Sequence, residues 1–519
     1  MEDTRRHVAW AAVAAAIAGF LVEAVVSAIP GSPLQPVLAP GAEPRGPFTW
    51  IAETLGLDGL GSAMPVASVL GVAAGVAGFL LLLRAAWRGE VPMRPALGLA
   101  VGFHLALVLL PLLLSRDVYS YIAHGQIVSI HGGNPYVQTP ADFPSFLTRE
   151  LVGPKWVDTP SVYGPLFSHL SGLVTRTSSR LDVLVDAFRL IAIAASLATT
   201  FVIAAIAGRV RPGRAAFGVV AFGANPVVLF DSAASGHNDL LVALAVAGAA
   251  WFALRDRTLW AVGLLTIGGL IKASAFLPLF LLVVWVIARS PQGERVRAGL
   301  VHAGLAAVLV MLAAASLFQL DDPTLGMREL SSHEGWLAPS RFFRRLLDAI
   351  SADTLGGVAR VAFALALLVA VIVLVRFIWR AAASRGPMPE LLAGWGWALL
   401  ALTLLGPVLL PWYLAWSLPL IWILPLAPRA SLIVLSGVLA LSQWVAEPER
   451  FPDAYDVNVL VGHYVLTPIV IGLLVWLGLD LARRARGSLA LRDEEGREPA
   501  EARQGRGGDR DRHVLEPET

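Results

Sequence analysis

LGLAVGFHLALVLLPLLLSRDVYSYIAHGQIVSIHGGNPY, residues 97–136, decides the fold class of this chain. Its first half, 97–114, belongs in hydrocarbon. The arginine, aspartate, tyrosines and histidines that follow do not. A plain connection leaving a membrane helix needs turn residues and little more. This one carries a carboxylate and several rings, so it reads both as the end of a span and as a candidate site.

Composition agrees with the hydrocarbon reading. The 519 residues are 56% hydrophobic and 15% charged, with a mean hydropathy of +0.68, values that place the chain among polytopic all-α membrane proteins. The net charge of +2 gives no footprint for nucleic acid. Cysteine is absent, which excludes disulfides and thiolate metal sites. Lys155 and Lys272 are the sole lysines. The start, MEDTRRHVAWAAVAAAIAGFLVEAVV, is too long an apolar run for a signal-peptide core and reads as a retained first span. Residues 487–519 are charged and Gly-rich, and are expected to form a disordered cytoplasmic tail behind a membrane domain over 1–486.

Apolar runs fall near 8–29, 64–83, 95–115, 186–208, 215–231, 239–254, 297–318, 355–379, 392–407, 411–427, 430–446 and 458–481. The stretch 258–288 is too long for one span and is expected to break around Lys272–Ser274, which gives about 12–14 spans in all. Arginine bias in short loops fixes their sides. With Arg5 and Arg6 inside, the arginines at 84–94, 209–214, 255–257, 289–297, 380–385 and 483–486 also fall inside, and both termini are cytoplasmic. The outer side then receives 30–63, 116–185, 319–354 and 447–457, the turns at 232–239 and 409–413, and the Lys272 break. A multi-pass protein of the cell membrane with its polar mass outside has no access to cytosolic nucleotide sugars. An enzyme built this way draws an activated donor from the lipid phase.

The outer segments hold the candidate residues. Asp117, just past a span, is expected to be partly desolvated, with its pKa raised toward that of a useful general base; the bland reading is a charge marking the interface. VYSYIAHGQIVSI is expected to lie in the interface as a short amphipathic helix, with Tyr119 and Tyr121 at headgroup depth and Gln126 on another face. NPY (Asn134, Tyr136) and TPSVYGPL (Tyr163) are turns carrying rings that can stack on sugar, or simply ordered loops; Lys155 and Trp156 lie between them. In SGHNDLL, capping explains Asn238 and Asp239 but leaves His237 unexplained. Lys272 interrupts apolar helix, where an unpaired ammonium costs about 2.5–3.5 kcal/mol, and is placed to hold a lipid phosphate. GPVLLPWYLAWSLPL brings Trp412, Tyr413 and Trp416, which an aromatic belt also explains. Arg341, Arg344 and Arg345 share the outer loop 319–354 with His333, Glu334 and Trp336 and offer charge to a phosphate. No Walker loop, HExxH, GxSxG or dinucleotide fingerprint occurs in context, and no His/carboxylate cluster has metal-ligand spacing.

RDVYSYIAHGQ followed by GGNPY, TPSVYGPL, SGHNDLL, the LIK break with Pro278 beyond it, and LPWYLAW occur in one order over about 95–420. In that order the chain resembles the GT-C-fold polyprenol-phosphate-sugar glycosyltransferases. More narrowly, it resembles the actinobacterial polyprenol-phosphomannose-dependent α-(1→6)-mannosyltransferases of lipomannan synthesis. The resemblance implies a GT-C-like bundle and an inverting, metal-independent transfer of mannose or another hexose without a cofactor. The donor is a polyprenyl-phosphate sugar, and the acceptor is a glycolipid or mannan at the outer face of the bilayer. It maps the family's base onto Asp117 and the phosphate partner onto Lys272, with His237, Asn238 and Asp239 lining a pocket. A second acid near the first is matched here by nothing nearer than Asp142 or Asp158, and His124 departs from the family pattern. The competing reading is a lipid-linked sugar flippase or secondary transporter, which predicts repeat symmetry between halves and charge at the bilayer midplane; neither is visible in the sequence.

Overall fold

A computed structural model describes residues 2–143, 147–154, 156–319, 325, 333–335, 337–351 and 355–497. These are helical with irregular connections and contain no strand among the described residues. Lys155, Trp336 and the tail from 498 lie outside them. The chain divides into a compact unit, Met1–Val470, and a second, Ile471–Thr519, whose described part continues the helix Thr467–Arg497. That helix includes 487–497, which the sequence assigned to the disordered tail.

Among the described residues, seven helices are long and apolar enough to cross a membrane, including His7–Ala28, Leu181–Val210 and Gly356–Ala383. A pair bent by 44°, Pro212–Gly223 with Val227–Ala234, forms an eighth candidate, and five apolar helices of 10–17 residues are shorter. The protein is a multi-pass all-α membrane protein. Burial differs sharply along the chain: the apolar window of Met388–Leu405 is 61% buried, that of Gln292–Ala314 is 6% and that of Gly356–Ala383 is 17%. A helix apolar all round and bare on most faces needs lipid as its solvent.

Three places where helices stop build the site. The run 95–115, expected as one span, is helical over Met93–Leu107 and then irregular. Pro111 has no N–H to continue the ladder, and the buried Arg189 side chain donates to the carbonyls of Leu107 and Leu110 at 2.9 and 2.6 Å. The same guanidinium donates to Ala234 O at 3.0 Å, so one buried cation caps two helix ends. Beyond Ala234 the chain turns at Gly236, whose φ of +73° suits glycine and whose Cβ would lie 2.6 Å from Val118 Cγ2. The expected break at Lys272 is present: Thr258–Ile271 ends, Lys272 is extended, and Phe276–Arg289 resumes. The carbonyl of Ile271 exposed by the break accepts from Gly164 N at 2.9 Å. A Cβ on Gly164 would stand 2.1 Å from Leu270 O, which explains the glycine in TPSVYGPL.

Two expectations are corrected. The run 411–427 is no continuous helix but two short 3-10 turns, Pro411–Trp416 and Leu418–Leu420. Pro411, Pro419 and Pro425 interrupt the ladder, and irregular backbone in an apolar setting is tolerated here because protein buries it. The helix after the third span forms over Asp117–Ile130, but it does not lie on a surface. Val118 to Gly125 are buried, Tyr119 and Tyr121 included. Gly125 lets it pack directly on Pro165–Thr175, since a Cβ there would meet Ser171 O at 2.5 Å.

Candidate active site

Segments from along the chain, all of them assigned to one side by arginine bias, meet around a cavity of about 480 Å³. Asp117, Ser120, Tyr163 and Lys272 line it together with Trp412 and Tyr413. Trp156, His333, Arg341 and Tyr455 also line it. Its volume is in the range of small-molecule sites.

Asp117 is the first residue of its helix and keeps a quarter of its side chain exposed. Tyr163 Oη donates to its Oδ2 at 3.4 Å, and His237 Nδ1 stands 3.5 Å from the same oxygen. No described residue donates a hydrogen bond to Oδ1. His237 is fully buried, and its ring is stacked on Trp412 with centroids 3.7 Å apart. Burial pushes the Asp117 carboxyl up. The His237 ring beside it, with Lys272 and Ser115 nearby, outweighs burial and holds it below the ordinary carboxylate range. The expected raised pKa is therefore corrected: Asp117 is ionised at neutral pH.

Asp239 also opens a helix, yet nothing of it is exposed. Its Oδ1 and Oδ2 each accept from Lys272 Nζ at 2.8 Å, and Oδ1 accepts from Trp416 Nε1 at 2.7 Å. Lys272 Nζ also stands 4.5 Å from the Tyr413 ring centroid. Two of the three ammonium donors are thus committed to Asp239, and the lysine reaches the cavity as half of a neutral pair. The capping role expected of Asn238 is not seen, because its side chain makes no cap hydrogen bond. Its amide is buried without a hydrogen-bond partner among the described residues.

The arginines separate as well. Arg344 donates to Glu334 at 2.7 Å and Asp348 at 3.0 Å, and it does not line the cavity. Arg341 lines the cavity and forms no ion pair among the described residues. Burial lowers its pKa, as do the neighbouring arginines 345 and 344, though a guanidinium stays charged. Glu334, the other carboxylate on the wall, is bound by Arg344 and by Arg360 at 2.6 Å.

Other candidates serve the scaffold. Tyr119 Oη donates to Val37 O and accepts from Ala39 N, both at 2.9 Å. Tyr121 is packed edge-on against Tyr163 and Phe167 behind the cavity wall. Gln126 accepts from Thr148 Oγ1 at 2.8 Å, Asn134 Nδ2 donates to Leu317 O at 2.8 Å, and Tyr136 Oη donates to Tyr163 O at 2.6 Å. None of these lines the cavity. Asp142 and Asp158 do not either; Asp142 accepts from Thr139. Sequence reasoning missed Ser120 and Tyr455, which nothing in their local pattern sets apart, and the stack of Trp156 on His333 at 4.8 Å. Among the described residues, no group of three or more His, Asp or Glu side chains is arranged to hold a metal ion.

Residues 13–289 match the family model described as "Alpha-(1->6)-mannopyranosyltransferase, N-terminal domain", and residues 351–476 match one described as "MptB C-terminal domain". The chain is 28% identical over 360 residues to the alpha-(1->6)-mannopyranosyltransferase A of Mycobacterium tuberculosis (strain ATCC 25618 / H37Rv). That match covers 65% of this chain and 67% of the relative. No solved structure matches significantly. Asp117, Tyr163, His237 and Lys272 fall in the first matched region and Trp412, Tyr413 and Tyr455 in the second, while Arg341 falls between them.

Proposed function

Because the chain belongs to the alpha-(1->6)-mannopyranosyltransferase family, we propose that it transfers mannose from a polyprenyl-phosphate donor to a mannan or glycolipid acceptor at the outer membrane face, with inversion at the anomeric carbon. The observation that carries this reading is the state of the two carboxylates on the cavity wall. Glu334 is held by two arginines, whereas no arginine or lysine among the described residues pairs with Asp117, whose contacts to Tyr163 and His237 both fall on Oδ2.

In this reading the acceptor hydroxyl gives its proton to Asp117. The acceptor oxygen forms a bond to the anomeric carbon as the bond from that carbon to the phosphate oxygen breaks. Polyprenyl phosphate leaves with the bonding electrons. A single displacement of this kind inverts configuration, consistent with a donor of β configuration and an α product. His237 holds the carboxylate by its Oδ2 and leaves Oδ1 for the acceptor. Its own position is fixed by the Trp412 stack. Charge growing on the leaving phosphate needs a cation. Arg341 fills that role, with the remaining Lys272 donor as a secondary contact. Trp412, Tyr413 and Trp156 supply ring faces for sugars.

The test is to incubate the purified protein in detergent or nanodiscs with labelled polyprenyl-phosphomannose and short mannan acceptors, and to determine the linkage of the product. An α-(1→6)-extended acceptor is the expected result. A product of other linkage corrects the acceptor geometry, and no transfer from this donor removes the reading.

A further inference from the structure

Asp117 has a cation as its immediate neighbour in sequence, and both residues line the same cavity. That cation does not pair with it. Arg116 Nε donates to Glu447 Oε1 at 2.7 Å, and its Nη2 donates to Glu447 Oε2, forming a two-pronged ion pair to a residue 331 positions away. The Glu447 side chain is 4% exposed, and the Arg116 side chain is 21% exposed. Glu447 is itself held in place, since its Oε1 also accepts from Val37 N at 2.7 Å.

Val37 belongs to a strap that ties three distant segments together. Leu114 N donates to Leu34 O at 2.8 Å and Ala446 N donates to Pro33 O at 2.7 Å, while Tyr119 Oη bridges Val37 O and Ala39 N. The strap thus positions the glutamate on one side and the start of the Asp117 helix on the other. No sequence pattern marks this arrangement, and the base assigned to Asp117 does not use it.

A guanidinium and a carboxylate at contact form a bidentate pair that occupies both carboxylate oxygens. An arginine on the cavity wall next to a general base therefore threatens that base. It would take the oxygen the acceptor needs and weaken it as a proton acceptor. We infer that Glu447 is a positioning residue: by engaging both arms of Arg116, it keeps that cation off Asp117 and leaves the carboxylate free for the acceptor hydroxyl. This inference rests on the reading of Asp117 as the base. It predicts a loss of kcat with folded yield and melting temperature kept, repaired when the arginine is also removed; a purely structural ion pair would show its loss and repair in stability instead.

The experiment compares wild type, Asp117→Asn, Glu447→Gln and the double variant Arg116→Gln/Glu447→Gln in the mannosyl-transfer assay, with kcat and donor KM measured separately. Glu447→Gln is expected to lower kcat at least tenfold with donor KM within twofold of wild type, because the released guanidinium captures Asp117. The double variant, with no cation to release, is expected to return kcat to within threefold of wild type. A Glu447→Gln protein with wild-type kcat, or a loss that persists in the double variant, overturns the inference; failure to fold counts as a persisting loss. Asp117→Asn separates the two claims. Full activity there sinks the base assignment, whereas an inactive Asp117→Asn beside an unaffected Glu447→Gln sinks this inference alone.

Discussion

Asp117 and Asp239 occupy the same kind of place in the sequence, each the first residue of a helix on the side that arginine bias puts outside, and the fold treats them oppositely. Asp239 is sealed in, both oxygens taken by Lys272 and one shared with Trp416. Asp117 looks into the cavity with one oxygen near His237 and Tyr163 and the other open. An acid whose charge is cancelled and whose lone pairs are filled can hold structure but cannot take a proton. The two carboxylates therefore separate a structural role from a chemical one more cleanly than their local sequence does.

The largest effect that would sharpen this contrast is expected from Asp239→Asn. It leaves the Lys272 charge buried without a counter-charge, at about 3–5 kcal/mol. Folded protein should be largely lost, as read by size-exclusion yield and thermal melting. Normal yield with normal activity would break the contrast. Next, His237→Phe keeps a ring on Trp412 but removes the Nδ1 contact. We expect kcat to fall about ten- to hundredfold through lost orientation of the base. The sign of its pH dependence follows from the lowered pKa of Asp117. Base function is present above that value and lost as pH falls through it, so removing His237 raises the value and moves the acid limb to higher pH. An acid limb that stays in place would separate His237 from Asp117.

Smaller effects test the cations. Arg341→Gln should raise donor KM about tenfold, the equivalent of one charge-assisted hydrogen bond to phosphate, and should barely change acceptor KM. A change confined to the acceptor would reassign the residue. Arg344→Gln should alter donor KM less than about twofold, because its guanidinium is occupied by Glu334 and Asp348 and lies off the cavity wall; what it loses is about 1 kcal/mol of stability or less. A donor effect as large as that of Arg341→Gln would mean that the loop rearranges around substrate.

What was legible in the sequence were features that one segment determines by itself. The apolar runs, the break at Lys272 and the carboxylate at the end of the third span each follow from local pattern. The partners of these residues were not legible. Lys272 looked like a free phosphate ligand because its counter-ion stands 33 positions earlier on another helix. Arg344 looked available because Arg344 and Arg360 converge on Glu334 only in the folded loop. The run 411–427 read as a span because hydropathy does not register that Pro411, Pro419 and Pro425 leave the ladder incomplete. Tyr119 and Tyr121 read as interfacial rings because helical spacing does not reveal that the backbone at Val37 and Ala39 takes the Tyr119 hydroxyl or that Phe167 of a second helix packs on Tyr121.

The claim on which the rest depends is that Asp117 takes the acceptor proton. Its most direct measurement is single-turnover transfer by Asp117→Asn, with donor binding and melting temperature recorded on the same preparation. Transfer slowed by about 10²–10⁴-fold, with donor affinity and melting unchanged, is the expected result. Transfer within a few-fold of wild type would contradict it.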